Sequence, residues 1–219
     1  MPSRVLVRSA QAWQKAVNST MSQLATKGIV GESVRLRALC RDDLELLRSF
    51  VNDPEVMRFS NGYRPINDFQ QERWFQEVSQ ATDGLWFAID DIRQQDAKLI
   101  GTCCLLGIDW IGRLAEFRIR IGDRDAWGQG LGTEASRLLM RYGFMDLNLE
   151  RIWLRVFASN RRAIRMYERL GFQAEGKLRR SALVQGLAED VALMGLLRDE
   201  WRGKAEPVAG EQELRDELR

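Results

Sequence analysis

The stretch Trp127-Gly-Gln-Gly-Leu-Gly132 restricts this chain more than any other, because its three glycines stand between an alternating run and an amphipathic one. From Leu114 to Ile121 the side chains alternate sides as they do on a strand, with Phe117, Ile119 and Ile121 on one face and Glu116, Arg118 and Arg120 on the other. Beyond the glycines Leu131, Ala135, Leu138, Leu139 and Tyr142 recur at helical spacing. A strand that passes to a helix through glycines leaves the first N–H groups of that helix unpaired, with no Cβ in the way of a ligand. Such a turn suits an anion, and a diphosphate in particular. Two other phosphate loops fit less well. No Lys-Ser/Thr follows the glycines, and no acidic residue stands where a dinucleotide ribose would need one.

Around this junction the chain alternates strand and helix signals. Val34 to Leu39 reads as a half-buried strand, then Asp42 or Asp43 caps a helix that stops at Asn52-Asp-Pro54. An irregular stretch with Met57, Phe59 and Tyr63 leads to a second helix begun by Asn67 or Asp68. Those aromatics read first as core and only second as the lining of a pocket. Leu85 to Asp90, Lys98 to Gly107 and Leu114 to Ile121 have the spacing of an antiparallel meander. Arg151 to Val156 is the next strand, Asn160 caps a helix closed by Gly171, and a hairpin turns around Gln185-Gly186. Strand–helix–strand units between antiparallel parts predict an α+β (mixed α/β) fold, with a mixed, largely antiparallel central sheet and about four helices. The chain divides into a basic extension over 1–31, one domain over 32–202 and an acidic tail over 203–219. The extension carries basic residues and no acid before Glu32, as a transit peptide would, but a flexible extension or an overextended start before Met21 is the plainer reading.

Composition removes whole classes of chemistry. There is no histidine, so a His-based triad and the commonest metal ligand are absent. Catalysis must rest on carboxylates, tyrosine, backbone groups or the substrate, and no metal is expected. A formal net charge of +2 spread along the chain argues against nucleic acid or an anionic membrane as partner, and no apolar run approaches the ~20 residues that span a bilayer. Cys40, Cys103 and Cys104 give no disulfide framework, so a reducing, cytoplasmic location is expected, and Cys103 and Cys104 read as packing. Asn160 and Tyr167 lie seven residues apart, two turns along one helix face. Either residue alone is more simply an N-cap or a core tyrosine.

Taken together, these residues resemble the GCN5-related N-acetyltransferase (GNAT) family. The family's acetyl-CoA signature falls on Trp127-Gly-Gln-Gly-Leu-Gly132, and Asn160, Tyr167 and Gly171-Phe172 match downstream. Asn52-Asp-Pro-Glu-Val56, Ala115-Glu-Phe117 and Tyr142-Gly-Phe144 resemble the branch of ribosomal-protein N-terminal and spermidine acetyltransferases. Trp127 stands where the family has Arg or Gln. The resemblance covers about Ser33 to Trp201 and implies acetyl transfer from acetyl-CoA to a primary amine by direct transfer in a ternary complex. The acceptor could be a protein N-terminus, a polyamine, an amino sugar or an antibiotic amine, and a homodimer is left open. It implies that N–H groups from Gln129 through Gly130, Leu131 and Gly132 to Thr133 hold the diphosphate, with Trp127 and Gly128 also in the cofactor site. It further implies that the strand edge at Ile119, Arg120 and Ile121 pairs with the pantetheine amides, with an N–H near Ile121 polarising the thioester carbonyl. Asn160 and Tyr167 complete the site, with Tyr167 protonating the departing thiolate. Glu116 is either the proton acceptor for the amine, through water, or an ion-pair partner of Arg118. The loop Arg58-Phe-Ser-Asn-Gly-Tyr-Arg64 carries arginine where a polyamine would call for acid. The alternative function is a non-catalytic acyl-CoA-binding module on the same fold.

Overall fold

The computed structural model describes residues 28–60, 64–184, 186–201 and 203. Expectations for residues 1–27, for Tyr63 and for the tail beyond Gly203 lie outside them. Eight strands form one sheet in the order β1-β2-β3-β4-β5-β6-β8-β7. They are β1 (Ile29–Val30), β2 (Val34–Ala38), β3 (Leu85–Asp91), β4 (Lys98–Asp109), β5 (Leu114–Ile121), β6 (Arg151–Phe157), β7 (Gln173–Val184) and β8 (Leu187–Leu197). Every pairing is antiparallel except β5 with β6. The mixed, largely antiparallel sheet expected from the sequence is therefore present. The folded unit begins earlier than expected, because β1 pairs with β2 and Ile29 is buried in the core.

Five α-helices flank the sheet among the described residues: α1 (Leu44–Asn52), α2 (Pro54–Met57), α3 (Asp68–Gln80), α4 (Leu131–Arg141) and α5 (Arg161–Leu170). The sequence pointed to about four. The added one is α2, because Asn52-Asp-Pro54 ends one helix and starts another: the Asp53 carboxylate accepts from the Glu55 and Val56 N–H groups, and Pro54 sits at the first position, where its missing donor costs nothing. Asn67 opens α3 through a reciprocal capping box with Gln70. Neither Asp42 nor Asp43 caps α1 with its side chain; Asp43 turns back instead to the Arg37 guanidinium, at 2.8 Å on both oxygens.

The apolar stripe of α4 packs on one face of the sheet, with Leu131, Ala135 and Leu139 at or below 1% exposure beside Phe117, Cys103 and Leu105. On the opposite face Leu47 of α1 and Trp74 of α3 cover Ala88 and Leu99. The even-numbered residues of β5 share that second face. Arg118 and Arg120 on that face line a cleft together with residues 55–60 at the end of α2.

Candidate active site

Strand β5 pairs with β6 only over Leu114↔Arg151, Ala115↔Ile152 and Glu116↔Trp153, while its pairing with β4 continues to Ile121↔Gly101. The two central strands therefore part after Glu116. An aromatic group fills the fork. Phe117, the first residue past the last pair, stacks on Phe172 at 6.4 Å and meets Tyr167 edge-on at 6.2 Å, and Tyr167 in turn meets Phe172 at 5.8 Å. The fork leads into a cleft of about 1380 Å³ running from the glycine turn past Tyr167 to the end of α2.

Register decides which backbone groups face the fork. The Gly122 N–H donates to Ile100 O across β4, so by antiparallel alternation the N–H and C=O groups of Glu116, Arg118 and Arg120 also face β4. Those of Phe117, Ile119 and Ile121 face the open side. Of the three edge residues expected to pair with a ligand, Ile119 has both backbone groups available for it and Ile121 its N–H, the Ile121 carbonyl being taken by the Trp127 indole. Arg120 contributes its side chain instead.

The glycine turn is built to leave donors open. Gly128 and Gly130 take φ of +80° and +85°, and a Cβ on either would meet nothing within 4 Å, so the space above them is free for a ligand. The N–H groups of Gln129, Gly130, Leu131 and Gly132 have no acceptor within the described residues. The far end of the stretch differs from expectation, because the Thr133 N–H closes the first helical turn onto Gly130 O at 2.9 Å; before the turn the Trp127 N–H donates to Arg124 O. The Leu131 side chain is core, so only its backbone can serve. Trp127 makes a different contribution from the family's usual Arg or Gln, because its indole N–H donates to Ile121 O at 2.9 Å and its ring lies under the Arg162 guanidinium. The tryptophan thereby ties the turn to the end of β5.

Asn160 is the helix cap that the sequence predicts. Its Oδ1 accepts from the Ala163 N–H at 3.1 Å, capping α5, and the residue lines the cleft. Tyr167 presents its ring to the core and also lines the cleft; its hydroxyl has no hydrogen bond within the described residues, and burial pushes its pKa above the ordinary phenol value. Glu116 resolves toward the ion-pair reading. One face of its carboxylate takes Arg118 at 2.9 and 3.0 Å, and the other takes Arg155 at 3.1 and 3.2 Å. Burial alone would raise its pKa, but the two guanidiniums outweigh burial and hold it below the usual carboxylate value. Such a carboxylate is a weak proton acceptor.

Cys104 lies beneath Arg118 with its thiol pushed by burial up to about 12, and Cys103 is buried on the core face, so both act in packing as expected. Phe59 lines the cleft and is 42% exposed, against the first expectation that it belongs to the core, and Met57 lines the cleft with it. Arg155 and Ser60 were missed in the sequence. Alternation along Arg151 to Val156 could have found Arg155, since Ile152, Leu154 and Val156 are the buried partners on the other face. Nothing local marks Ser60. Among the described residues no cluster of potential metal ligands occurs, and no helix is long and apolar enough to cross a membrane.

This geometry has close counterparts among known proteins. Residues 33–173 match the model of the acetyltransferase (GNAT) domain. The chain is 34% identical to Uncharacterized N-acetyltransferase p20 of Bacillus licheniformis over 176 residues, covering 78% of this chain and 97% of the relative. It is 31% identical to spermidine N(1)-acetyltransferase of Escherichia coli K12 over 179 residues, covering 77% and 88%. In structure it resembles spermidine N-acetyltransferase from Vibrio cholerae, solved in complex with CoA and spermine, with a TM-score of 0.71 at 29% identity over 78% of this chain and 98% of the other. The forked sheet, the open glycine turn and these matches agree: the chain belongs to the GNAT family and is an acetyl-CoA-dependent N-acetyltransferase.

Proposed function

We propose that acetyl-CoA lies along the fork between β5 and β6 and that Tyr167 is the general acid of a direct transfer to a primary amine. The observation that carries this reading is the alignment of four open N–H groups at the glycine turn with the open edge at Ile119 and Ile121, ending beside a tyrosine whose hydroxyl has no hydrogen bond within the described residues. The diphosphate sits on the Gln129 to Gly132 donors, where the dipole of α4 adds to them. The amine nitrogen attacks the thioester carbon, charge gathers on the carbonyl oxygen and is met by an edge N–H, and the C–S bond breaks. The departing thiolate takes the Tyr167 proton. A phenol held above its ordinary pKa stays protonated through neutral pH, ready for that step.

The amine must shed its own proton before attack. The depressed basicity of Glu116 favours water in the open cleft as the acceptor of that proton, with Glu116 fixing Arg118 and Arg155. The transferase domain is assigned to residues 28–203. The test is acceptor-dependent CoA release across a panel of amines, run beside thermal protection by acetyl-CoA. Protection without release on any acceptor would return the chain to the rival reading, a binding module on this fold.

A further inference from the structure

The chain carries a formal net charge of only +2, yet eight arginines and three glutamates line the cleft. Four of the arginines, Arg137 on α4 and Arg161, Arg162 and Arg169 on α5, stand on the two helices beside the cleft, and guanidiniums near the glycine turn suit the phosphates of CoA. The others need another explanation. Arg118, Arg120 and Arg155 stand on the polar floor of the fork, and Arg58 overlooks it from the end of α2, its guanidinium over the Phe59 ring.

Charge on that floor is not balanced. Glu116 is shared between Arg118 and Arg155, so one carboxylate answers two guanidiniums. Arg120 is half-buried and, among the described residues, has no acidic partner: of its five donor hydrogens the one bond formed there is to the Ser60 hydroxyl, at 3.3 Å. Burial and the neighbouring Arg118 both work against its charge. A guanidinium withdrawn from water without a counter-charge is costly, and a protein that keeps one in a ligand cleft recovers that cost when an anion arrives. The floor also disfavours a polycation, which would meet like charge on most sides.

We propose that the acceptor is a primary amine that also carries a carboxylate or phosphate group, and that Arg120, with Ser60 beside it, recognises that group. Arg118 and Arg155 supply the surrounding field, and Glu116 keeps them apart and in place. This assignment rests on the acetyltransferase reading and narrows its acceptor class. Arg120 is a specificity residue and takes no part in bond making.

The experiment compares matched acceptors by CoA release: amino acids against their C-terminal amides, an amino-sugar phosphate against the free amino sugar, and spermidine as the cationic extreme. The expected result is a kcat/KM higher by about 10- to 100-fold for the anionic member of at least one pair, as a charged hydrogen-bonded contact supplies, with the two pairs separating carboxylate from phosphate. In Arg120→Gln that ratio falls toward one, carried mainly by KM, and Arg120→Lys restores part of it. Thermal protection by acetyl-CoA verifies that each variant is folded. Equal or better turnover of the neutral members or of spermidine would overturn the proposal, as would a ratio that survives in Arg120→Gln. If no acceptor is turned over while acetyl-CoA still protects, the transferase reading itself has failed, and this one fails with it.

Discussion

Replacing Tyr167 by Phe removes one hydroxyl and leaves everything else about the fork in place. The ring contacts with Phe117 at 6.2 Å and Phe172 at 5.8 Å persist, and because the hydroxyl bonds to nothing within the described residues, its loss orphans no partner. The stability cost is therefore under about 1 kcal/mol, a shift of at most about 4 °C in Tm for a chain of this size. The kinetic cost is of another order. A positioned general acid contributes about 10²- to 10⁴-fold, or about 3–5 kcal/mol of barrier. The assay is single-turnover CoA release, where chemistry and product departure are separated, on wild type and variant with one good acceptor. The pH profile adds a second constraint. Burial raises the Tyr167 pKa above its unfolded value of about 10, so the acid stays loaded throughout pH 7–10. By linkage, the stability it contributes is complete below pH ~10 and lost only as pH climbs through the folded value. Single-turnover rates that are equal in the two proteins would refute the general-acid role. An alkaline limb below pH 9 that vanishes in the variant would keep the acid role and refute instead the raised pKa of the buried phenol.

Glu116→Gln should lower Tm by about 2–4 °C at pH 7, because its two arginine partners are 51% and 47% exposed and the loss is nearer 1 kcal/mol than the several of a buried pair. The Glu116 pKa is depressed, so its contribution is present above the unfolded value near pH ~4.3 and disappears as pH falls through the folded one; the gap in Tm between wild type and variant should be constant above that value and narrow steadily as melts are taken to lower pH. In Gly130→Ala a methyl group enters the ligand space at φ +85°, and calorimetry should show acetyl-CoA binding weakened by about tenfold or more, with about 1 kcal/mol of backbone strain in the free protein; an unchanged Kd would remove the turn from the binding site. Gly101→Ala places a Cβ 2.1 Å from the Arg120 carbonyl oxygen, which cannot yield without moving β5, and should cost about 1–3 kcal/mol in denaturant melts. Gly176→Ala, whose Cβ would meet Leu193 at an ordinary 3.8 Å, is the control and should cost far less.

The parts of this fold that were legible in the sequence are those set by local chemistry. The glycines at 128 and 130 announced a backbone that only glycine adopts freely, and both have φ above +80° or equal to it. Alternation along β5 separated Phe117, Ile119 and Ile121 from Glu116, Arg118 and Arg120, and the structure keeps that division. Asn160 announced its helix in the same way. What stayed hidden depends on residues far apart in the chain. Glu116 and Arg155 are 39 positions apart, and only the parallel pairing of β5 with β6 brings them to 3.1 Å. Ser60 reaches Arg120 across 60 positions. A charged strand face could be recognised as unusual, but not how its charges would be shared.

The fork itself shows why local reading stops where it does. Residues 117–121 are good strand formers and pair with β4 throughout, so nothing in them foretells that β6 will leave after Glu116. The departure is a tertiary matter. Strand β6 is held by β8 along all seven of its residues, from Arg151↔Leu197 to Phe157↔Val191, while Phe117, Tyr167 and Phe172 pack together where β5 and β6 separate. The same packing that accompanies the parting of the strands sets Tyr167 beside the exposed edge. The opening for a thioester and the acid to discharge it thus share one structural cause. A substitution at Phe117 or Phe172 should accordingly move rate and fold together, whereas Tyr167→Phe, which keeps the packing and removes only the hydroxyl, should separate them.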